Sequence, residues 1–254
     1  MRDNRVRAAL KRGETVIGTM AQEVRTPAIA QLFAIAGFDF MFVDMEHGAY
    51  DLETVADIIK VARLADIVPL VRVPDGLYHL ISRVLDAGAM GVMVPRVETR
   101  ETVEQAVAAM RYPPLGKRGC TIGKGNSDYQ KNPLWEFVRH ANDNILAVMQ
   151  IERKAAVDHI DDLLSVSGVD VALIGPADLT LSLGASSPQD PVVQQAIQKV
   201  VEASKRHSVA IGIHLRDAEQ LKVWQDRGMT MLTCSTDLDF IANGARAAVS
   251  ALRG

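Results

Sequence analysis

Ile145-Leu146-Ala147-Val148-Met149-Gln150-Ile151-Glu152 is an apolar run that ends in a carboxylate. Residues 155–164 follow with apolar side chains spaced three and four apart. Then comes a second run, Val169-Asp170-Val171-Ala172-Leu173-Ile174, which leads through Gly175-Pro176-Ala177 to Asp178. The outer segments read as strands and the middle one as a helix. The strands do not alternate apolar with polar residues. They are near-continuously apolar, as parallel strands buried on both faces are. Strand, crossover helix and parallel strand make one βαβ unit.

The same unit recurs on either side. Strand-like runs occupy residues 17–20, 40–45, 67–73, 91–95, 145–151, 169–174, 209–213 and 229–234. Helix-like stretches lie between them at 52–65, 77–87, 100–111, 155–164, 192–207 and 217–227, with Val192, Ala196, Ile197, Val200 and Val201 forming one apolar stripe. Eight repeats closing on themselves give an α/β fold, a (β/α)8 TIM barrel, and 254 residues suit one such domain spanning 1–254. The spacing breaks once. Between the fourth and fifth strands, residues 111–144 are rich in Pro, Gly and polar side chains. Irregular stretches of that length are commonly functional, and a lid or a subunit contact is expected here.

Composition narrows the partners. An apolar fraction of 48% supports a sizeable core. The net charge of −3, with acidic and basic residues interleaved, gives no nucleic-acid footprint, so the expected ligand is small. Cys120 and Cys234 stand far apart without metal-type spacing, which argues against a disulfide framework or a zinc site. The charged start, Met1 to Arg7, reads as a helix rather than a signal peptide. No 18-residue apolar run is present to span a membrane, and a cytoplasmic setting is expected.

Barrel enzymes keep their chemistry at the C-terminal ends of the strands. The second strand closes with Asp44-Met45-Glu46-His47-Gly48, the third carries Arg72, and the fifth offers Gln150 and Glu152 on one face. Asp178 follows the sixth. Glu152 and Asp178 would repel each other in one site unless a cation lay between them. Carboxylates without Cys or clustered His favour Mg²⁺ or Mn²⁺, with Co²⁺ an acceptable substitute. Alternatively, Glu152 pairs with Arg153 or Lys154, and Asp178 caps the helix after Pro176. His47 is either a structural histidine or, oriented by Asp86, a proton-transfer group. Arg72 either neutralises nearby acids or makes a fixed contact to an anion or carbonyl. The turn Gly116-Lys117-Arg118-Gly119 is either a substrate-carboxylate or phosphate seat or an ordinary basic turn. His214, closing the seventh strand, either lines the mouth or does not reach it. Lys154 is the one Schiff-base candidate, in a charged turn that would not lower its pKa.

Taken in order, these residues resemble the HpcH/HpaI aldolase family, the class II pyruvate aldolases. The matching text is Gly37-Phe38-Asp39-Phe40 running into Asp44-Met45-Glu46-His47-Gly48, then Val71-Arg72-Val73-Pro74 and Leu85-Asp86-Ala87-Gly88-Ala89. Arg111-Tyr112-Pro113-Pro114 with Gly116-Lys117-Arg118-Gly119, Gln150-Ile151-Glu152 and Gly175-Pro176-Ala177-Asp178-Leu179 complete it. The resemblance implies a metal on Glu152 and Asp178 with Gln150 beside it. It implies Arg72 on the pyruvate carbonyl, His47 in proton transfer with Asp86 orienting it, and Asp44 near the aldehyde end. The backbone at Pro176 and Ala177 would receive the pyruvate carboxylate.

The implied reaction cleaves, or forms, 4-hydroxy-2-oxo acids to give pyruvate and an aldehyde through a metal-bound pyruvate enolate. The alternative on this scaffold is a carbon–carbon bond-forming synthase with oxaloacetate as enolate donor. A non-catalytic barrel serving as an assembly subunit is the competing class. The family also implies a homo-oligomer, a hexamer built as a trimer of dimers that exchange C-terminal helices, and the Ala-rich tail 241–252 suits that role. Residues 121–130 and Gly212-Ile213-His214-Leu215 depart from the family's pattern, and both bear on the acceptor pocket.

Overall fold

The computed structural model describes residues 1–254. Eight parallel strands close a barrel in chain order: β1 (Val16–Ala21), β2 (Phe40–Asp44), β3 (Val68–Arg72), β4 (Gly91–Val94), β5 (Leu146–Ile151), β6 (Val171–Ile174), β7 (Ala210–Leu215) and β8 (Met231–Thr236). Each matches an apolar run of the sequence to within about two residues, the usual uncertainty of an element's end. The helices are α1 (Arg5–Lys11), α2 (Ala28–Ile35), α3 (Leu52–Leu64), α4 (Tyr78–Ala87), α5 (Arg100–Met110) and α6 (Leu134–Asn144), followed by α7 (Lys154–Asp158), α8 (Ile160–Leu164), α9 (Pro176–Ser182), α10 (Pro191–His207), α11 (Ala218–Asp226) and α12 (Asp237–Arg253).

Alternate residues of each strand divide between two cores. Phe40, Phe42, Val68, Leu70, Leu146, Val148, Val171 and Leu173 fill the barrel's interior, and Val6 and Leu10 of α1 plug its floor. Their neighbours, such as Met41, Val43, Val71, Ala147, Met149, Ala172 and Ile174, face the helices. Near-continuous apolarity therefore hides a strict inside/outside alternation. The Phe40 ring needs room, and β1 supplies it at Gly18, where a Cβ would lie 2.3 Å from the ring. Asn4 ties the floor down by capping α1 and donating from Nδ2 to the Met90 carbonyl at 2.8 Å.

Four expectations about the helices change. Residues 155–164 form two short helices, α7 and α8, that meet at His159, rather than one. Helix α2 falls where no helix was expected from spacing, and α9 is the helix after Pro176, with Gly175 rather than Asp178 at its N-cap. Residues 134–144 are not irregular, because Phe137 and Val138 fold inward on α6. The fourth change concerns the lid. Arg111 closes α5 at the floor, donating to the Ile145 carbonyl at 2.6 Å, and the following residues run beside α4, where Gly119 N–H meets the Tyr78 hydroxyl at 2.8 Å. None of residues 111–144 lines the cavity at the barrel mouth, so within one chain this segment is no lid.

The tail forms α12, beginning at Asp237 rather than at 241. Only Asp237 is buried on it, while Leu238, Phe240, Ile241, Val249 and Leu252 stand exposed. No helix is long and apolar enough to cross a membrane.

Candidate active site

At the C-terminal ends of the strands the barrel opens into a cavity of about 600 Å³. Its wall includes His47 after β2, Arg72 on β3, Gln150 on β5, Gly175 to Asp178 after β6, and His214 on β7. Barrel geometry explains the convergence, because side chains at every second strand position point inward and the last such layer meets solvent.

Arg72 and Asp44 form the buried base of this wall. Arg72 Nε donates to Asp44 Oδ1 at 2.8 Å and Nη2 to Oδ2 at 2.6 Å, a bidentate pair. Gln22 Nε2 at 2.8 Å and the Glu46 backbone N–H at 3.0 Å also donate to the Asp44 carboxylate. Burial alone would raise this carboxyl, but Arg72 and these donors hold it below its ordinary range. Asp44 is 0% exposed and does not reach the cavity. Within one chain it contacts Arg72, Gln22 and the Glu46 N–H rather than the cavity. The guanidinium is fixed, and Nη1 lies 3.3 Å from Glu46 Oε2. That contact is not a hydrogen bond, so one N–H on Nη2 and both on Nη1 remain for a ligand.

Glu152 lies just behind the wall, almost wholly buried. Its Oε1 accepts the Arg96 backbone N–H at 2.8 Å, and its Oε2 accepts from Gln150 Nε2. Neither Arg153 nor Lys154 pairs with it; Lys154 bonds Asp158 instead, at 2.5 Å. Burial pushes the Glu152 carboxyl up to about 7; the Arg96 N–H lowers it, Glu46 and Asp178 push it further up, and Arg72 pulls it down. Gln150 leaves its own Oε1 enclosed without a partner. Gly175 lets β6 come this close, since a Cβ there would sit 2.7 Å from Glu152 Oε2.

These oxygens suit a hard divalent cation. Glu152 and Asp178 offer carboxylates, Gln150 offers an unpaired amide oxygen, and the buried negative charge lacks a full counter-charge. No group of three His, Cys, Asp or Glu side chains forms a closed cage. An ion held by two carboxylates would therefore keep positions open to water or an oxygen ligand. The same burial makes a testable statement about the ion-free protein. A carboxyl raised from 4.5 to about 7 adds stability below about pH 4.5 that is lost as pH climbs through about 7, on the order of 3 kcal/mol. Chelator-treated wild type should therefore lose melting temperature relative to Glu152→Gln between pH 5 and pH 8, and Mg²⁺ should restore it. A pH-independent difference between the two proteins would refute the buried-charge reading.

The other sequence-derived candidates divide. His47 lines the cavity, and its backbone N–H rests on Asp44 Oδ1 at 3.4 Å. Asp86 does not join it. Helix α4 runs back toward the floor, so a residue at its C-terminal end lies away from the mouth. There Asp86 pairs with Arg118 Nη2 at 2.7 Å. Arg118 in turn stacks on Tyr112 at 4.6 Å, which removes the Gly116–Gly119 turn from the site. Within one chain, nothing orients His47 through Asp86. Pro176 and Ala177 line the cavity as expected.

Sequence reasoning missed Gln22, Glu46 and Arg96. All three follow strand ends, the one positional signal available. Arg96 is held left-handed at φ 52°, with its guanidinium on Glu46 and the Pro74 carbonyl. That conformation costs roughly 1 kcal/mol and aims its N–H at Glu152.

Residues 22–244 match the family described as HpcH/HpaI aldolase/citrate lyase. The hydroxypyruvate/pyruvate aldolase of Roseovarius nubinhibens is 32% identical over 244 residues, covering 96% of this chain and 94% of that protein. The crystal structure of an HpcH/HpaI aldolase from Desulfitobacterium hafniense DCB-2 superposes with a TM-score of 0.93 at 35% identity, over 97% of this chain and 95% of that one. Citrate synthase SbnG superposes at 0.86 with 32% identity, over 97% and 96%.

Proposed function

Because the chain belongs to the HpcH/HpaI aldolase/citrate lyase family, we propose that it is a divalent-metal-dependent aldolase joining or parting a short 2-oxo acid, pyruvate in the simplest case, and an aldehyde. The observation that carries this reading is the buried, electrostatically stressed Glu152 beside Asp178 and the unpaired Gln150 oxygen, at the same mouth as Arg72 and His47. The barrel of residues 1–254 acts as one domain.

Glu152 and Asp178 would hold Mg²⁺ or Mn²⁺, which when bound supplies Lewis-acid polarisation of a 2-oxo carbonyl. The remaining steps belong to the chain. The Pro176–Ala177 backbone receives the substrate carboxylate. His47 takes the proton from the C4 hydroxyl of a 4-hydroxy-2-oxo acid; the C3–C4 bond then breaks, and C4 leaves as an aldehyde. The bonding pair passes to C3 and the 2-oxo oxygen. Arg72, pre-oriented by Asp44, places its remaining N–H groups against that developing charge, so little reorganisation is needed during the reaction. The proton held on His47 then returns, through solvent, to C3 and gives pyruvate.

The likeness to citrate synthase SbnG supports a second reading, a carbon–carbon bond-forming synthase that uses oxaloacetate and builds rather than cleaves. Incubating the protein and Mg²⁺ with 4-hydroxy-2-oxo acids, and separately with oxaloacetate and an acceptor, decides between them. Pyruvate release from the former supports the aldolase. A condensation product from oxaloacetate and the acceptor, with no cleavage of the hydroxy acids, supports the synthase.

We also propose a homo-oligomer, a trimer of dimers, supported by the exposed apolar row on α12. Sedimentation should give six times the 27.6 kDa chain mass, and Leu252→Glu with Val249→Glu should lower it. A monomeric wild type would contradict this.

A further inference from the structure

His214 is a half-buried polar residue at the mouth that the proposed mechanism leaves unused. It ends the inward-facing row of β7, while Ile211 and Ile213 on the same strand pack outward into the helix-side core. No protein group hydrogen-bonds its ring. Nδ1 is enclosed without a partner, and the Oγ1 of Thr233, its registered neighbour on β8, is enclosed and unpartnered as well. Buried polar atoms of this kind are rare because each forfeits a hydrogen bond to water. An enclosed nitrogen that makes no hydrogen bond holds a lone pair more cheaply than an unpaired N–H. The proton then sits on Nε2, the nitrogen left to the cavity.

Position and charge say what Nε2–H meets. In a closed eight-stranded barrel β7 stands across from β3, and β1 across from β5. Arg72 and Glu152 thus mark one side of the cavity, and His214 and Met20 the other. The 2-oxo acid occupies the first side in the reading above, which leaves the second reactant for the second. Met20 lines that wall beside His214. Of the other polar groups there, Gln22 is spent on Asp44 and Asp217 on the start of α11, whereas the His214 ring has an enclosed nitrogen without a partner. Burial pushes the His214 imidazole down to about 4, with Arg72 lowering it further, so the ring is neutral near pH 7. A neutral donor suits an uncharged oxygen. Arg216, the nearby cation, lies 3.3 Å from Asp239 and is largely exposed.

We propose that His214 is a specificity-determining residue for the acceptor, donating from Nε2–H to a hydroxyl on the carbon next to the aldehyde carbon, so that α-hydroxy aldehydes are preferred over alkyl aldehydes of equal size. This rests on the aldolase reading. Glycolaldehyde and propanal are the probes, because they match in heavy-atom count and differ only in that hydroxyl. With pyruvate and Mg²⁺, the ratio of their kcat/KM values should favour glycolaldehyde by roughly tenfold, the scale of one desolvated, unpaired donor. His214→Leu should bring the ratio close to one. His214→Gln, which keeps an N–H donor, should retain part of the preference. Because the ratio is taken on a single enzyme, losses common to both aldehydes cancel. A His214→Leu ratio equal to that of wild type, in a protein that turns over both aldehydes, overturns the assignment. So does a wild type with no preference. A wild type that exchanges no C3 protons of pyruvate overturns the aldolase reading and this assignment together.

Discussion

Glu152→Gln should lower turnover by at least about a thousandfold and strip the protein of its divalent ion, while leaving the barrel folded. Lewis-acid stabilisation of developing oxyanion charge is worth several kcal/mol, and each 1.36 kcal/mol is a factor of ten in rate. Gln has nearly the same shape but no charge. It can still accept the Arg96 N–H that Glu152 Oε1 accepts at 2.8 Å. What it removes is the buried negative charge that Glu46 and Asp178 already disfavour. The variant should thus melt no lower than ion-free wild type at pH 8, and higher if repulsion dominates. Metal content by elemental analysis and melting temperature in the same preparation check this directly. Retained metal and retained rate would remove Glu152 from the site. Lost fold would make it structural.

Arg72→Ala should have the largest effect on stability. Asp44, at 0% exposure, would keep its charge with the principal counter-charge gone, and breaking a buried pair from one side costs about 3–5 kcal/mol. For a chain of this size that is a fall in Tm of about 10 °C. Asp44 titration gives the effect a sign. In wild type its lowered carboxyl adds stability above its ordinary value of 3.8 that is lost as pH falls through the folded value. Without Arg72, burial dominates and the dependence reverses, so the variant loses least at acid pH. The double variant Arg72→Ala with Asp44→Asn removes both charges and should regain most of the Tm. It should not regain activity, since no guanidinium then faces the developing charge. Recovery of both would make the pair purely structural. An Arg72→Ala protein as stable and as active as wild type would refute the pairing.

The barrel was legible because its strands are buried on both faces and so write themselves as continuous apolar runs. Inside and outside were not legible from those runs, since Phe42 and Val43 are equally apolar and only closure of the sheet separates them. The same geometry made Arg72, Gln150, Glu152, Asp178 and His47 readable as strand-end residues. It also explains where two residues lie within one chain. Asp86 belongs to a helix that runs antiparallel to its strand, so its neighbourhood in sequence to the β3 end does not carry it to the mouth. Asp44 is one residue in the sequence from the exposed end but lies beneath Arg72 in the fold. A lone histidine such as His214 has no partner in the sequence to betray it; its significance is the absence of a hydrogen bond, which only coordinates show. Composition marked 111–144 as unusual, yet gave no direction for its path along the floor and beside α4.

Exchange of the C3 protons of pyruvate with deuterium, followed by NMR in the absence of any aldehyde, isolates the half-reaction that Glu152, Asp178 and Arg72 are held to support. The exchange should require Mg²⁺ or Mn²⁺, collapse when a chelator is added, and return when the ion is restored. Exchange that persists in chelator, and is instead trapped by borohydride on a lysine, would contradict an enolate stabilised at this carboxylate pair.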